Sequence, residues 1–295
     1  MTVATLDRST ATPADLTITP RDRRFGRNET TPRWWLDGNP FTTAIYNALS
    51  ATFPKGEAYF VESVRKFRDT ADERLAGEIR AFTTQEVIHS REHLAFNKRA
   101  SDSGYDLTLL EKTVDESLAL LNGRPEILDL ASTMALEHFT AIIAHELLAN
   151  PRHLKGADQA TADLWRWHAA EEIEHKGVAY DTWRAATADW SRAKRWKVKS
   201  IIMLLVTRNF VTHRTAGALE LLRQDGITGG RAWRGLLWAM WGNPGMFRKV
   251  GSAWVKYFLP GFHPWNEDDR ALIAGWESEH EYRQVPPAKR VRSAA

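Results

Sequence analysis

Trp167-His168-Ala169-Ala170-Glu171-Glu172-Ile173-Glu174-His175 is the stretch whose reading decides the fold. Three residues advance an α-helix by about 300° and four by about 400°, so His168, Glu172 and His175 fall within about 60° of arc on one helix face. The motif His-x-x-x-Glu-x-x-His makes chemical sense only on a helix. Its flanks, from Asp158 to Ala185, read as one continuous helix with no internal proline.

Outward from this stretch the same periodicity recurs. Segments 41–49, 57–67, 70–98, 109–121 and 125–148 carry apolar residues at helical spacing, such as Leu75, Ile79 and Phe82. Breaks are expected at Phe53-Pro54-Lys55-Gly56, Ser101–Gly104, Asn122-Gly123 and Asn150-Pro151. Beyond 186 come a basic helix over about 191–222 and apolar-basic segments over 233–258, interrupted at Gly242-Asn-Pro-Gly245. No run alternates with period two, so the chain reads as all-α. Residues 1–34, rich in Thr, Arg, Asp and Pro, read as a flexible N-terminal arm, 35–186 as a helical bundle, and 187–295 as a C-terminal extension packed on it, with a flexible tail.

Composition narrows the chemistry. The 295 residues include no Cys and 10 His. Disulfides, thiol nucleophiles and Cys-ligated metals are excluded, which leaves imidazole and carboxylate as the ligands for a metal. Seven of the ten His lie between His89 and His175. Charge is uneven within a net +3: residues 182–259 hold fourteen Lys/Arg and three Asp/Glu, a net +11, leaving −8 for the rest. The N-terminus shows no apolar signal-type segment, and Ile201–Val206 is far short of the roughly 20 residues of a spanning helix. A cytoplasmic location is the default expectation.

Four helices supply the candidate ligands. Glu86 and His89 form one Glu-x-x-His, and Glu172 and His175 a second. Glu137 stands in the apolar run Met134–Ile142, where a carboxylate is costly unless paired or metal-bound. Glu57 follows Pro54, and its rival Glu62 turns about 140° away on the helix. Two Glu-x-x-His motifs plus one Glu from each of two further helices is the ligand set of ferritin-like dimetal carboxylate bundles, so a ferritin-like four-helix bundle with extra N- and C-terminal helices is expected. Two metal ions are expected, iron first, with manganese or zinc as alternatives. The competing reading places Glu86 and His89 on a surface and makes Glu171 and Glu174 an exposed acidic face. His93, His138 and His145 are candidates for supporting or channel residues, with a satisfied core or surface His as the equal alternative.

Phe53-Pro-Lys-Gly-Glu57, Gln85-Glu86-x-x-His89, Leu136-Glu137-His138, the His168 motif and Pro260-Gly-Phe-His-Pro-Trp265 resemble a bacterial family labelled predicted metal-dependent hydrolase, over about residues 35–270. The ligand pattern is also similar to that of the di-iron arylamine N-oxygenases. That likeness implies His168 as a third imidazole ligand beside Glu57, Glu86, His89, Glu137, Glu172 and His175. A carboxylate-rich site inside a bundle favours an O₂-activating oxidase or oxygenase acting on a hydrophobic small molecule. Metal-dependent hydrolysis, as in the family label, and metal binding without turnover are the alternatives.

The basic third supports three readings: Trp packing on the bundle, interfacial membrane contact through residues 190–259 with a lipid-like substrate, and nucleic-acid binding. The last is disfavoured by the lack of a reader motif. Phe262-His263-Pro264-Trp265 has no role assignable from sequence.

Overall fold

The computed structural model describes residues 11–27 and 29–280. Its helices are α1 (Pro40–Ser50), α2 (Phe53–Arg65), α3 (Glu73–Asp102), α4 (Thr108–Ala119), α5 (Glu126–Ala149), α6 (Gln159–His175), α7 (Val178–Ala186), α8 (Arg192–Gln224), α9 (Gly229–Trp241), α10 (Met246–Lys256) and α11 (Arg270–Glu279). No extended strand occurs among the described residues.

Local chemistry starts the helices where it can. Asn39 Oδ1 accepts from the Phe41 and Thr42 amides ahead of α1, with Pro40 in the first turn. Asp72, Asp158 and Ser191 cap α3, α6 and α8 by accepting from the Leu75, Thr161 and Lys194 amides. The expected break at 53–56 is instead the first turn of α2. Pro54 is tolerated there because its missing N–H has no partner to lose.

Helices α2, α3, α6 and α5 form a closed ring: α2 packs on α3, α3 on α6, α6 on α5, and α5 on α2. This arrangement is compatible with the expected ferritin-like bundle. α5 is apolar enough by length and composition to cross a membrane, yet 61% of its apolar window is buried. In the molecule it is a core helix. The main core runs through the ring and takes in Met203 and Phe210 of α8, Val250 of α10 and Ile273 of α11. A second cluster joins α1, α4, α9 and the end of α8 through Ala48, Leu110, Leu221 and Leu236.

Three expectations are corrected. The helix expected over 158–185 is two, α6 and α7, parting at Lys176-Gly177. A Cβ on Gly177 would collide with Thr12 Oγ1 and lie 3.1 Å from the Trp265 ring, so the break is where two distant segments close on the backbone. α11 was not expected. The arm is not loose over residues 11–27: Ile18 and Phe25 join the main core, and Arg21 has no exposed surface. Residues 1–10 and the expected flexible tail past 280 lie outside the described residues.

Candidate metal centre

The ring brings all seven expected ligands together. Glu57 comes from α2, Glu86 and His89 from α3, Glu137 from α5, and His168, Glu172 and His175 from α6. None is more than 4% exposed. Three overlapping groups have ligand atoms within 4.8 Å of one another: Glu57/His89/His168, Glu86/His89/Glu172 and Glu86/Glu137/His175. Glu62, the rival of Glu57, points to solvent and pairs with Lys66.

Glu172 faces both ends of the cluster. Its Oε1 lies 2.8 Å from His168 Nε2 and 3.8 Å from His89 Nδ1, while its Oε2 lies 3.6 Å from His175 Nε2. His175 Nε2 is also 3.1 Å from Glu86 Oε1 and 3.4 Å from Glu137 Oε2. His168 Nε2 is 3.8 Å from Glu57 Oε1, and the His89 and His168 rings stack at 4.1 Å.

Among the described residues eight ligand-type atoms here have no hydrogen-bond partner: Glu57 Oε1, both oxygens of Glu86, both of Glu137, Glu172 Oε2, His89 Nδ1 and His175 Nε2. Buried polar atoms in folded proteins are nearly always satisfied, so such a cluster demands an explanation. Burial pushes the Glu57, Glu86 and Glu137 carboxyls well up, and their mutual repulsion and that of Glu172 push further in the same direction. Burial would also raise Glu172, but the imidazoles of His175 and His168 outweigh it and hold this carboxyl well below its usual range. Burial, followed by the neighbouring His168, keeps His89 neutral. Neutral imidazoles and carboxylates are the donor set for a hard or borderline divalent cation.

The far side of each imidazole is anchored. With Nε2 of His168 facing the cluster, its Nδ1–H donates to His93 Nε2 (2.6 Å). His93 Nδ1–H then donates to Ser50 Oγ (2.8 Å), and Ser50 Oγ–H to Asn97 Oδ1 (2.6 Å). His175 Nδ1–H donates to Gln85 Oε1 (3.0 Å), whose amide donates to Glu174 Oε2 (2.8 Å). His89 Nε2–H donates to Glu171 Oε2 (3.0 Å). Ser90 Oγ–H donates to Glu57 Oε2 (2.7 Å). Such partners fix tautomer and ring orientation.

Glu171 and Glu174 are therefore not an exposed acidic face; both are buried. Arg21 closes this layer. Its Nη2 bonds Glu174 Oε1 (2.5 Å) and Glu277 Oε1 (2.6 Å). Its backbone amide donates to Glu171 Oε1 at 3.0 Å. A signal for the buried acids did exist in the sequence. Ala169, Ala170, Ile173, Trp165 and Trp167 put apolar groups around most of α6, as in a helix buried all round. Nothing local pointed to Arg21, 150 residues upstream of Glu171.

His93 is hydrogen-bonded to His168, whereas His138 and His145 make no hydrogen bond to any of the seven candidate residues. His138 Nε2–H donates to the Ala253 carbonyl (3.3 Å), and His145 pairs with Asp269 (2.8 Å). Both line a separate cavity of about 480 Å³ between α5, α10 and the 259–269 connection. Phe262-His263-Pro264-Trp265 is a clamp on the α6–α7 junction: His263 Nε2–H donates to Asp181 Oδ1 (3.1 Å), and Trp265 packs at Gly177.

Fold and site together define the class: an all-α protein with a sealed Glu/His cluster suited to metal. The chain belongs to the family described as predicted metal-dependent hydrolase, whose profile matches residues 19–268, Arg21 included. Neither the curated proteins nor the solved structures contain a match.

Proposed function

We propose that the cluster holds two divalent metal ions and that the protein is a metal-dependent hydrolase of a small molecule. The observation that carries the metal reading is the convergence of eight unpartnered ligand atoms inside one ring of helices. Charge agrees, because four buried carboxylates match two divalent cations and buried charge needs compensation. In this reading Glu57, Glu86, His89, Glu137, His168, Glu172 and His175 would hold the metal. A dimetal pair would supply an activated water at neutral pH and Lewis-acid polarisation of an ester, amide or phosphoryl group.

The chain's own residues do the rest. Glu171 and Gln85 hold the His89 and His175 rings in the tautomer that presents a lone pair to the cluster. The His168–His93–Ser50–Asn97 chain places a proton at His168 Nδ1 and fixes its direction. Phe53 and Phe82 pack on His168 and His175 and keep bulk water from the ligands.

The hydrolytic reading, rather than the oxidative one expected from the ligand pattern, follows the family's description. An O₂-activating oxidase is the second reading, favoured by one observation: every ligand is a helix residue sealed in the bundle, with three imidazoles and four carboxylates. The test loads metal-free protein separately with iron, manganese and zinc. Metal content is then measured, followed by hydrolysis of an ester and phosphoester panel and O₂ uptake by the ferrous form. Two ions per chain with metal-dependent ester or phosphoester cleavage is the expected result. O₂ consumption without hydrolysis selects the second reading, and no bound metal overturns both.

A further inference from the structure

We propose that the exposed faces of α8, α9 and α10 dock on an anionic lipid bilayer. On α8, Lys194, Lys197, Ile201, Leu204, Leu205 and Arg208 fall within one sector of about 120°. Its three aliphatic side chains are exposed by 46%, 53% and 56%, with the cations just before and just after them along the axis. On α9, Arg231, Arg234, Leu237, Trp238 and Trp241 share a sector in the same way, and Trp238 is 70% exposed. On α10 the outer side carries Arg248, Val255 and Lys256, with Leu259 just beyond the helix.

The end of α10 and the two residues after it are tied to the N-terminal half of α8. Trp254 Nε1–H donates to Thr207 Oγ1 (3.0 Å), Lys199 Nζ to the Tyr257 carbonyl (2.6 Å), and Trp196 Nε1–H to the Phe258 carbonyl (2.8 Å).

Charge decides the occupant. Residues 182–259 hold three acids, and two of them are taken by local ion pairs: Glu220 by Arg223, and Asp225 by Arg33. The exposed sectors of α8 and α9 therefore mix aliphatic, indole and cationic groups with no carboxylate of their own, while on α10 Lys256 pairs with exposed Glu267 at 2.9 Å. Ordinary soluble surfaces intersperse both signs of charge and scatter their apolar residues singly. A nucleic acid would use the cations but leave Ile201, Leu204 and Leu205 in water. A headgroup layer uses all three kinds, with Lys and Arg on lipid phosphates, Trp at the polar boundary and aliphatics in the acyl margin. This inference stands independently of the metal reading.

The test is co-sedimentation of the full chain with phosphatidylcholine vesicles with and without phosphatidylglycerol, at low and high salt. Binding roughly tenfold stronger to the anionic vesicles, weakening as salt rises, is expected. Two exposed pairs, Leu204→Ser with Leu205→Ser and Lys197→Glu with Arg208→Glu, should each weaken binding at unchanged melting temperature. Trp238→Ser on α9 gives an independent third variant. Equal binding to neutral and anionic vesicles, no vesicle binding, or indifference to all three variants overturns the proposal. So does a dimer in sedimentation equilibrium that dissociates in these variants while vesicles stay unbound, or duplex DNA binding without vesicle binding.

Discussion

The ligand cluster between α3 and α6 and the outer face of α8–α10 carry opposite kinds of misplacement. Inside the ring the carboxylates are buried, and among the described residues no Lys or Arg pairs with Glu86 or Glu137. Outside, Leu204, Leu205 and Trp238 sit in water with cations beside them. The tryptophans divide along the same line. Trp165, Trp167, Trp183, Trp265 and Trp276 are buried and pack the bundle, whereas Trp196, Trp233, Trp238 and Trp241 are about half exposed or more. The chain's 13 Trp thus include residues of both kinds. A buried polar group without a partner calls for something small and charged, and an exposed apolar group calls for something broad.

The largest effect is expected at the candidate ligands. Glu172→Ala and His175→Ala should each abolish stoichiometric metal binding, read by elemental analysis of the purified variants. Retention of full metal in both would end the assignment of the centre. Arg21→Ala comes next, since it leaves Glu171 and Glu174 buried without their cation. A loss of about 3–5 kcal/mol is expected in chemical denaturation, partly recovered by adding Glu174→Gln.

Substitutions behind the candidate ligands should do less. Gln85→Leu and His93→Leu are expected to weaken metal affinity about 10–100-fold in competition with a chelator, with the helical fold retained by circular dichroism.

The smallest effect tests the basic region. Burial lowers the Lys199 ammonium to about 8, although its Nζ lies 4.8 Å from the Tyr257 ring centroid and 4.7 Å from that of Phe262. Between about 8 and the ordinary 10.5 the folded chain releases this proton while the unfolded chain keeps it, so stability rises with pH across that window. The slope is roughly 1 kcal/mol per pH unit. Denaturation midpoints at a series of pH values should show the rise, and Lys199→Met should flatten it.

Much of the site was legible because its information is local. The spacing of His168, Glu172 and His175, and of Glu86 and His89, places each set on one face whatever the helix packs against. Glu57 was separable from Glu62 by azimuth, and Glu137 by its apolar surroundings. Other features needed partners from far along the chain. The α6–α7 break depends on Thr12 and Trp265 reaching Gly177, and the burial of Glu174 depends on Arg21. His138 and His145 share a helix face with each other, but that face meets α10 and the 259–269 connection rather than the ligands.

The all-α class, the helix faces that carry the candidate ligands and the uneven charge were legible in the sequence, because helical periodicity and charge count are properties of neighbours along the chain. Tertiary structure alone decided that Glu171 and Glu174 are buried and brace the cluster from behind. It also closed the N-terminal segment over them and left one set of tryptophans inside and the other out. Those outcomes rest on contacts between residues far apart along the chain, from His89 with Glu171, 82 apart, to Arg21 with Glu174, 153 apart. No local pattern encodes them, because burial is set by whichever distant surface arrives.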